Sequence, residues 1–142
     1  LITPKTGSQE ERDYRYWLHF SEGSLMPPLL LRLIFHRVKK ASVPFFVKPI
    51  AKAIANKVLS EFVNPNVKCL LDFIEASLEG KQWLLGDQLS GADIQMSYPL
   101  EASVASGLID DHYPDIQSYV ERIHQKPAYQ AALLKGGKYD YA

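Results

Sequence analysis

Cysteine is almost missing from this chain: Cys69 stands alone among 142 residues. No internal disulfide can form, and a reducing compartment such as the cytoplasm is the expected setting. A charge excess is missing too, since sixteen Lys and Arg balance sixteen Asp and Glu. Proteins that hold nucleic acid ordinarily carry a basic excess, so nucleic acid is not expected as a partner. No apolar run approaches the roughly 20 residues that cross a bilayer. The longest, 25–35, is broken by Pro27, Pro28 and Arg32. The amino end carries no signal-peptide pattern, and a chain opening on Leu1 rather than Met is expected to be a fragment or a processed product.

Catalytic motifs are equally scarce. There is no glycine-rich phosphate loop and no Gly-x-Ser-x-Gly elbow. His19, His36, His112 and His124 are scattered, none at metal-ligand spacing from Cys69 or a second ligand. No metal and no catalytic residue are therefore expected within this chain. Cys69, beside Leu70 and Leu71, reads as a packed or half-buried thiol rather than a nucleophile. Arg32, His36, Arg37, Lys39 and Lys40 read as a solvated helix end, with an anionic membrane as the sharper alternative.

What is present is helical. Hydrophobic residues make up 46% and charged residues 23%, a globular balance, and no segment alternates as a strand does. Residues 1–8 read as the end of a linker and 9–142 as one all-α bundle. Acidic Glu10, Glu11 and Asp13 suit a first helical turn, followed by Tyr14, Trp17, Leu18 and Leu25 at helical spacing. Pro27 and Pro28 are expected to kink or interrupt this helix. A second helix is expected over 43–63, with Pro49 bending its first turns. Asn64 then caps a third, with Pro65 in its first turn and an apolar stripe of Val67, Leu70, Leu71, Ile74 and Leu78 running to Gly80. Ser90 and Asp93 stand three apart as a capping box, with Leu89 and Ile94 as its hydrophobic staple. Pro114 and Pro127 open the last two helices, and the 139–141 tail reads as irregular.

The segment from Gly86 to Ile94, GDQLSGADI, resembles the "GDxLSxADI" helix start of glutathione transferase C-terminal domains. Lys126-Pro127-Ala128 is similar to the "RPA" or "KPA" step of the family's closing helices. More specific is the stretch from Trp17 to Leu29, WLHFSEGSLMPPL, which resembles the "YWLHYAEGSLMPPL" helix of a bacterial and fungal branch. The resemblance extends from Leu1 to about Leu134. It implies an all-α bundle of the glutathione transferase C-terminal type, without the thioredoxin-like domain that in this family binds most of the glutathione and activates its thiol.

From that resemblance, the parent protein is expected to conjugate glutathione to hydrophobic electrophiles in detoxification, with this chain alone inactive. Glutathione would be its co-substrate, and no other cofactor is implied. Phe20, Gly23, Ser24, Met26 and Pro27 are the expected electrophile wall, weighed against plain packing within the domain. His19 and Glu22 are the expected contacts to glutathione across a homodimer, weighed against a solvated pair. The family dimerises through the helices that come first here, so Trp17, Phe45 and Phe46 are expected to be exposed without the other domain. The alternative function is a non-catalytic protein-interaction module, since domains of this family also serve that way.

Overall fold

The computed structural model describes residues 4–141. Residues 1–3 of the expected linker, and Ala142, lie outside the described residues. Seven α-helices follow in order: α1 (Gln9–Phe20), α2 (Met26–Lys40), α3 (Lys48–Val58), α4 (Asn64–Leu78), α5 (Gly91–Ala105), α6 (Pro114–His124) and α7 (Pro127–Gly136). The fold is all-α, and among the described residues the only strand-like pairing is one isolated bridge between Trp83 and Gly86.

Ser8 starts α1, accepting the Glu11 amide on its hydroxyl at 3.0 Å, while the Glu11 carboxylate takes the Gly7 amide at 2.6 Å. Between α1 and α2 the chain does not break. Ser21–Leu25 forms a π-helical turn, closed when the Met26 amide donates to the Ser21 carbonyl five residues back. The expected interruption at Pro27-Pro28 therefore takes the form of a wider turn ahead of the prolines, which sit in the first turn of α2 where their missing N–H groups cost least.

The same device joins α3 to α4. Leu59–Val63 is a second π-turn, closed by the Asn64 amide on the Leu59 carbonyl. Asn64 has φ −64° and ψ −41°, so it is a helical residue and not the cap expected of it. The second helix also begins later than expected. The Pro44 carbonyl accepts from Val47 and Lys48 in a turn, and Pro49 lies in the first turn of α3 rather than bending it. Two long rods result, residues 9–40 and 48–78, with α2 packed on α3 and on the second π-turn.

The core gathers between these rods and the later helices. On α4 the buried stripe is Val67, Leu71, Ile74 and Leu78. Cys69 points away from it and is exposed, which corrects its reading as a packed thiol. Trp17 is buried in the core rather than left exposed, whereas Phe45 and Phe46 are open to solvent as expected. Helix α5 buries residues all around, from Ala92 and Met96 to Leu100 and Ser103, as a central helix should. Its first turn buries Ala92 and Asp93, so Ile94 is left largely exposed rather than stapled into the core.

Asp93 ties three segments together. Fully buried, its carboxylate accepts the Leu84 amide at 2.9 Å, the Ser90 amide at 2.7 Å, the Ser90 hydroxyl at 2.8 Å and the Tyr119 hydroxyl at 3.1 Å. The capping box at Ser90 is thus one part of a wider knot. Gly91, the first residue of α5, is pressed by the Tyr14 hydroxyl: a Cβ there would lie 2.5 Å from it.

Helix α6 is capped from a distance. Tyr113, just before it, offers no side-chain cap; instead the Glu75 carboxylate on α4 accepts the Asp115 and Ile116 amides at 2.9 and 3.0 Å. An anion at a helix N-terminus both satisfies orphan donors and opposes the dipole.

Asp93→Ala strands two buried amides and a buried phenol, so it should cost about 3–5 kcal/mol, against a total stability of about 5–15 kcal/mol for a domain. Urea unfolding checks this, and a loss under about 1 kcal/mol would remove Asp93 from its central place. Glu75→Ala should cost about 1–2 kcal/mol by the same assay, with Glu75→Gln losing less because its amide oxygen still accepts one amide.

Candidate functional site

The wide turn at Ser21–Leu25 is held against α5 by a second proline. Pro99 lies inside α5 and has no N–H for the Gln95 carbonyl four residues back. The Ser21 hydroxyl takes that carbonyl instead, at 3.1 Å, and the Gln95 side chain donates to Glu22 at 2.6 Å. Pro99 and Gln95 were not singled out from the sequence. The readable sign was a proline inside a helix of strong apolar character, which demands an outside donor for the freed carbonyl.

This clamp sets where the expected wall residues stand. Phe20 is buried, its ring 5.2 Å from that of Trp17 and 5.5 Å from that of Phe73. Ser24 and Met26 are half-buried, and Gly23 and Pro27 are exposed. At Gly23 an added Cβ would meet nothing within 4 Å, so the space beside it is open. The structure thus separates Phe20, which packs inward, from the other four, which follow the outer side of the turn. His19 and Glu22 do not hydrogen-bond to each other; Glu22 accepts from the Gln95 side chain instead. Among the described residues no three His, Cys, Asp or Glu lie close enough to hold a metal ion. No helix of the described residues is long and apolar enough to cross a membrane.

Helix α2 exposes Leu30, Leu31, Leu33 and Ile34, and α3 exposes Ile50 and Ile54. With Phe45 and Phe46 between the helices, they form an apolar face of the kind that marks an interaction surface.

A second cluster escaped sequence reasoning. Glu101 on α5 is almost fully buried, and the Tyr139 hydroxyl of the tail donates to its Oε2 at 2.5 Å. His124 Nε2 lies 3.4 Å from Oε1, and the Tyr129 ring stacks on His124 at 4.8 Å. Burial, then the Glu101 charge, push the Tyr129 phenol up to about 12. Tyr113 is likewise pushed up to about 12, by burial first and then by its 3.0 Å bond to Asp72. The 139–141 tail is irregular, as expected, and is anchored through Tyr139. A Glu two residues after Pro99, between Leu100 and Ala102, was the available sign.

A helical bundle with a capped central helix and two proline-marked rods defines an all-α domain. The pattern of the glutathione S-transferase C-terminal domain matches residues 36–127. The chain belongs to the glutathione S-transferase family. It is 33% identical to glutathione S-transferase 1 of Saccharomyces cerevisiae over 122 residues, 84% of this chain and 52% of that protein. A glutathione S-transferase structure from Actinobacillus pleuropneumoniae is similar with TM-score 0.70 and 30% identity, covering 99% of this chain and 57% of that one. The bacterial enzyme BphK, solved as a ternary complex, is similar with TM-score 0.71 and 26% identity, covering 96% of this chain and 60% of that one. The chain spans about half the length of the curated relatives it matches.

Tyr113 and Tyr129 predict a specific alkaline limit. A phenol whose folded pKa is raised contributes stability that is intact below its ordinary value of 10.0 and is lost as pH rises through about 12. The urea midpoint should therefore fall steeply between about pH 10 and 12. A flat midpoint across that interval would show that these phenols ionise freely in the folded chain.

Proposed function

We propose that this chain is the electrophile-side domain of a glutathione transferase that joins glutathione to hydrophobic electrophiles, and that it is inactive alone. In such a reaction a thiolate attacks an electrophile held against an apolar wall, where water is excluded and the thiolate is more reactive. The wall is Ser24, Met26, Pro27 and the open space at Gly23, with Phe20 supporting it from within. The unbranched Met26 side chain suits varied electrophile shapes. His19 and Glu22 reach glutathione across a homodimer, with Glu22 held in place by Gln95. Dimerisation uses the apolar face of α2 and α3. Residues 1–8 are the end of the linker, and the setting is cytoplasmic.

The observation that carries this reading is the family match over residues 36–127, joined to relatives of which the chain spans about half the length. Those relatives are glutathione transferases by name, and the α1–α2 turn, which lies ahead of the matched residues, is open at Gly23.

The test begins with the intact mass of the cellular protein. A mass well above 16.1 kDa, with conjugation of glutathione to 1-chloro-2,4-dinitrobenzene, supports the reading. In that protein Met26→Ala should raise KM for the electrophile about three- to tenfold, the loss of one side-chain contact of about 1 kcal/mol, and leave KM for glutathione unchanged. A cellular product of 16.1 kDa that neither binds nor conjugates glutathione would instead establish the interaction module.

A further inference from the structure

One residue of α5 reaches both halves of the site proposed above. The carbonyl of Gln95, which Pro99 leaves without its helical donor, accepts from the Ser21 hydroxyl at 3.1 Å. The carboxamide of the same residue donates to Oε1 of Glu22 at 2.6 Å. Ser21 is fully buried and opens the π-turn on which Gly23 and Ser24 stand. Glu22 is exposed, and its other oxygen, Oε2, takes part in no hydrogen bond or ion pair found among the described residues.

We propose that Gln95 is a positioning residue that serves both substrates: its carboxamide aims the Glu22 carboxylate at glutathione, and its carbonyl fixes the turn that carries the electrophile wall. This inference rests on the conjugating function proposed above and deepens it. Neither role requires Gln95 to touch a substrate.

The two bonds differ in what they contribute. Ser21 is buried, so its bond ties the turn to α5, and breaking it strands a polar group. The Glu22 bond lies at the surface, where water competes for both partners, so as a fastening it adds little. What it supplies is direction. A free glutamate side chain loses rotamer freedom when it is held in one geometry, and the Gln95 amide imposes that loss before any substrate arrives. Preorganisation of this kind lowers KM. With Oε1 engaged, Oε2 is the oxygen left to accept from a substrate donor. Pro99 is part of the device, because an ordinary residue at that position would donate to the Gln95 carbonyl from within α5 and compete with Ser21 for it.

The test uses the cellular conjugating protein and reads KM for glutathione and for 1-chloro-2,4-dinitrobenzene separately. Gln95→Leu keeps the carbonyl and removes the carboxamide, so it should raise KM for glutathione about three- to tenfold and leave KM for the electrophile unchanged. Added to Glu22→Ala it should have no further effect, because it acts through Glu22. Pro99→Ala combined with Ser21→Ala returns the carbonyl to α5 and frees the turn without stranding either group. Both KM values should then rise, and the Gly23, Ser24 and Leu25 amides should exchange hydrogen faster. If Gln95→Leu fails to fold, the near-isosteric Gln95→Glu removes the same donor by setting two carboxylates together. Met26→Ala separates the two levels: a rise in electrophile KM there, with Gln95→Leu silent on glutathione, overturns this inference alone. Additive effects of Gln95→Leu and Glu22→Ala, or an electrophile KM that moves with Gln95→Leu, would also overturn it. A cellular protein that conjugates nothing overturns the inference and the proposed function together.

Discussion

Burying a carboxylate is costly unless its lone pairs find donors, and Asp93 is fully buried at the centre of this domain. Its oxygens collect two backbone amides and two hydroxyls, and so tie the 84–90 loop and the middle of α6 to the start of α5, where Asp93 stands. The loop cannot shift without stranding the Leu84 amide, and α6 cannot slide without losing Tyr119. Burial and the Asp93 charge together keep the Tyr119 phenol protonated far into alkali, so it remains a donor wherever the domain is folded. Around this knot the central helix takes its orientation. Glu75 does comparable work at the start of α6, again by lending a side chain from one helix to the backbone of another.

Proline sets the second constraint. Met26 before Pro27 and Asn64 before Pro65 each close a π-turn by donating five residues back. Each turn adds one residue to the helical count, and that rotates the following helix by roughly 100° without changing its direction. The rods therefore stay continuous while their faces are reset. Pro99 completes the arrangement from the other side: the carbonyl it frees is the acceptor that draws Ser21 onto α5. A turn that widens one helix and a proline that opens another meet at a single hydrogen bond.

Much of this was legible in residue spacing and some was not. The helical class, the Ser90–Asp93 cap and the starts at Pro114 and Pro127 follow from local chemistry, because each depends on residues within four of one another. Asn64 misled because Asn before Pro suits both a cap and a helix interior, and local preference cannot show that the helix already runs through Val63. A five-residue step between the buried Phe20 and Leu25 is the trace a π-turn leaves, yet it looks like a simple skip in an apolar stripe. Glu75, Gln95 and Glu101 act on partners 23 or more residues away, and nothing in spacing reports that. Cys69 failed for a narrower reason: its neighbours Leu70 and Leu71 are apolar, but the α4 stripe runs through Val67 and Leu71 and leaves position 69 outside.

The two faces of α2 follow from the same reset. Residues 30, 31 and 34 fall outward, apolar and uncovered, where a protein surface is expected to pack. Arg32 and His36 fall on the side closed by α4, α5 and the tail, where charge is partly desolvated and so strengthened. Had the helix run through Ser21–Leu25 in strict α register, this assignment would rotate by about one residue, bringing a basic side chain toward the outer face and a leucine toward the closed side. One inserted residue ahead of Pro27 thus decides which side of α2 meets a partner and which retains a positive charge, and it does so without altering any side chain on the helix.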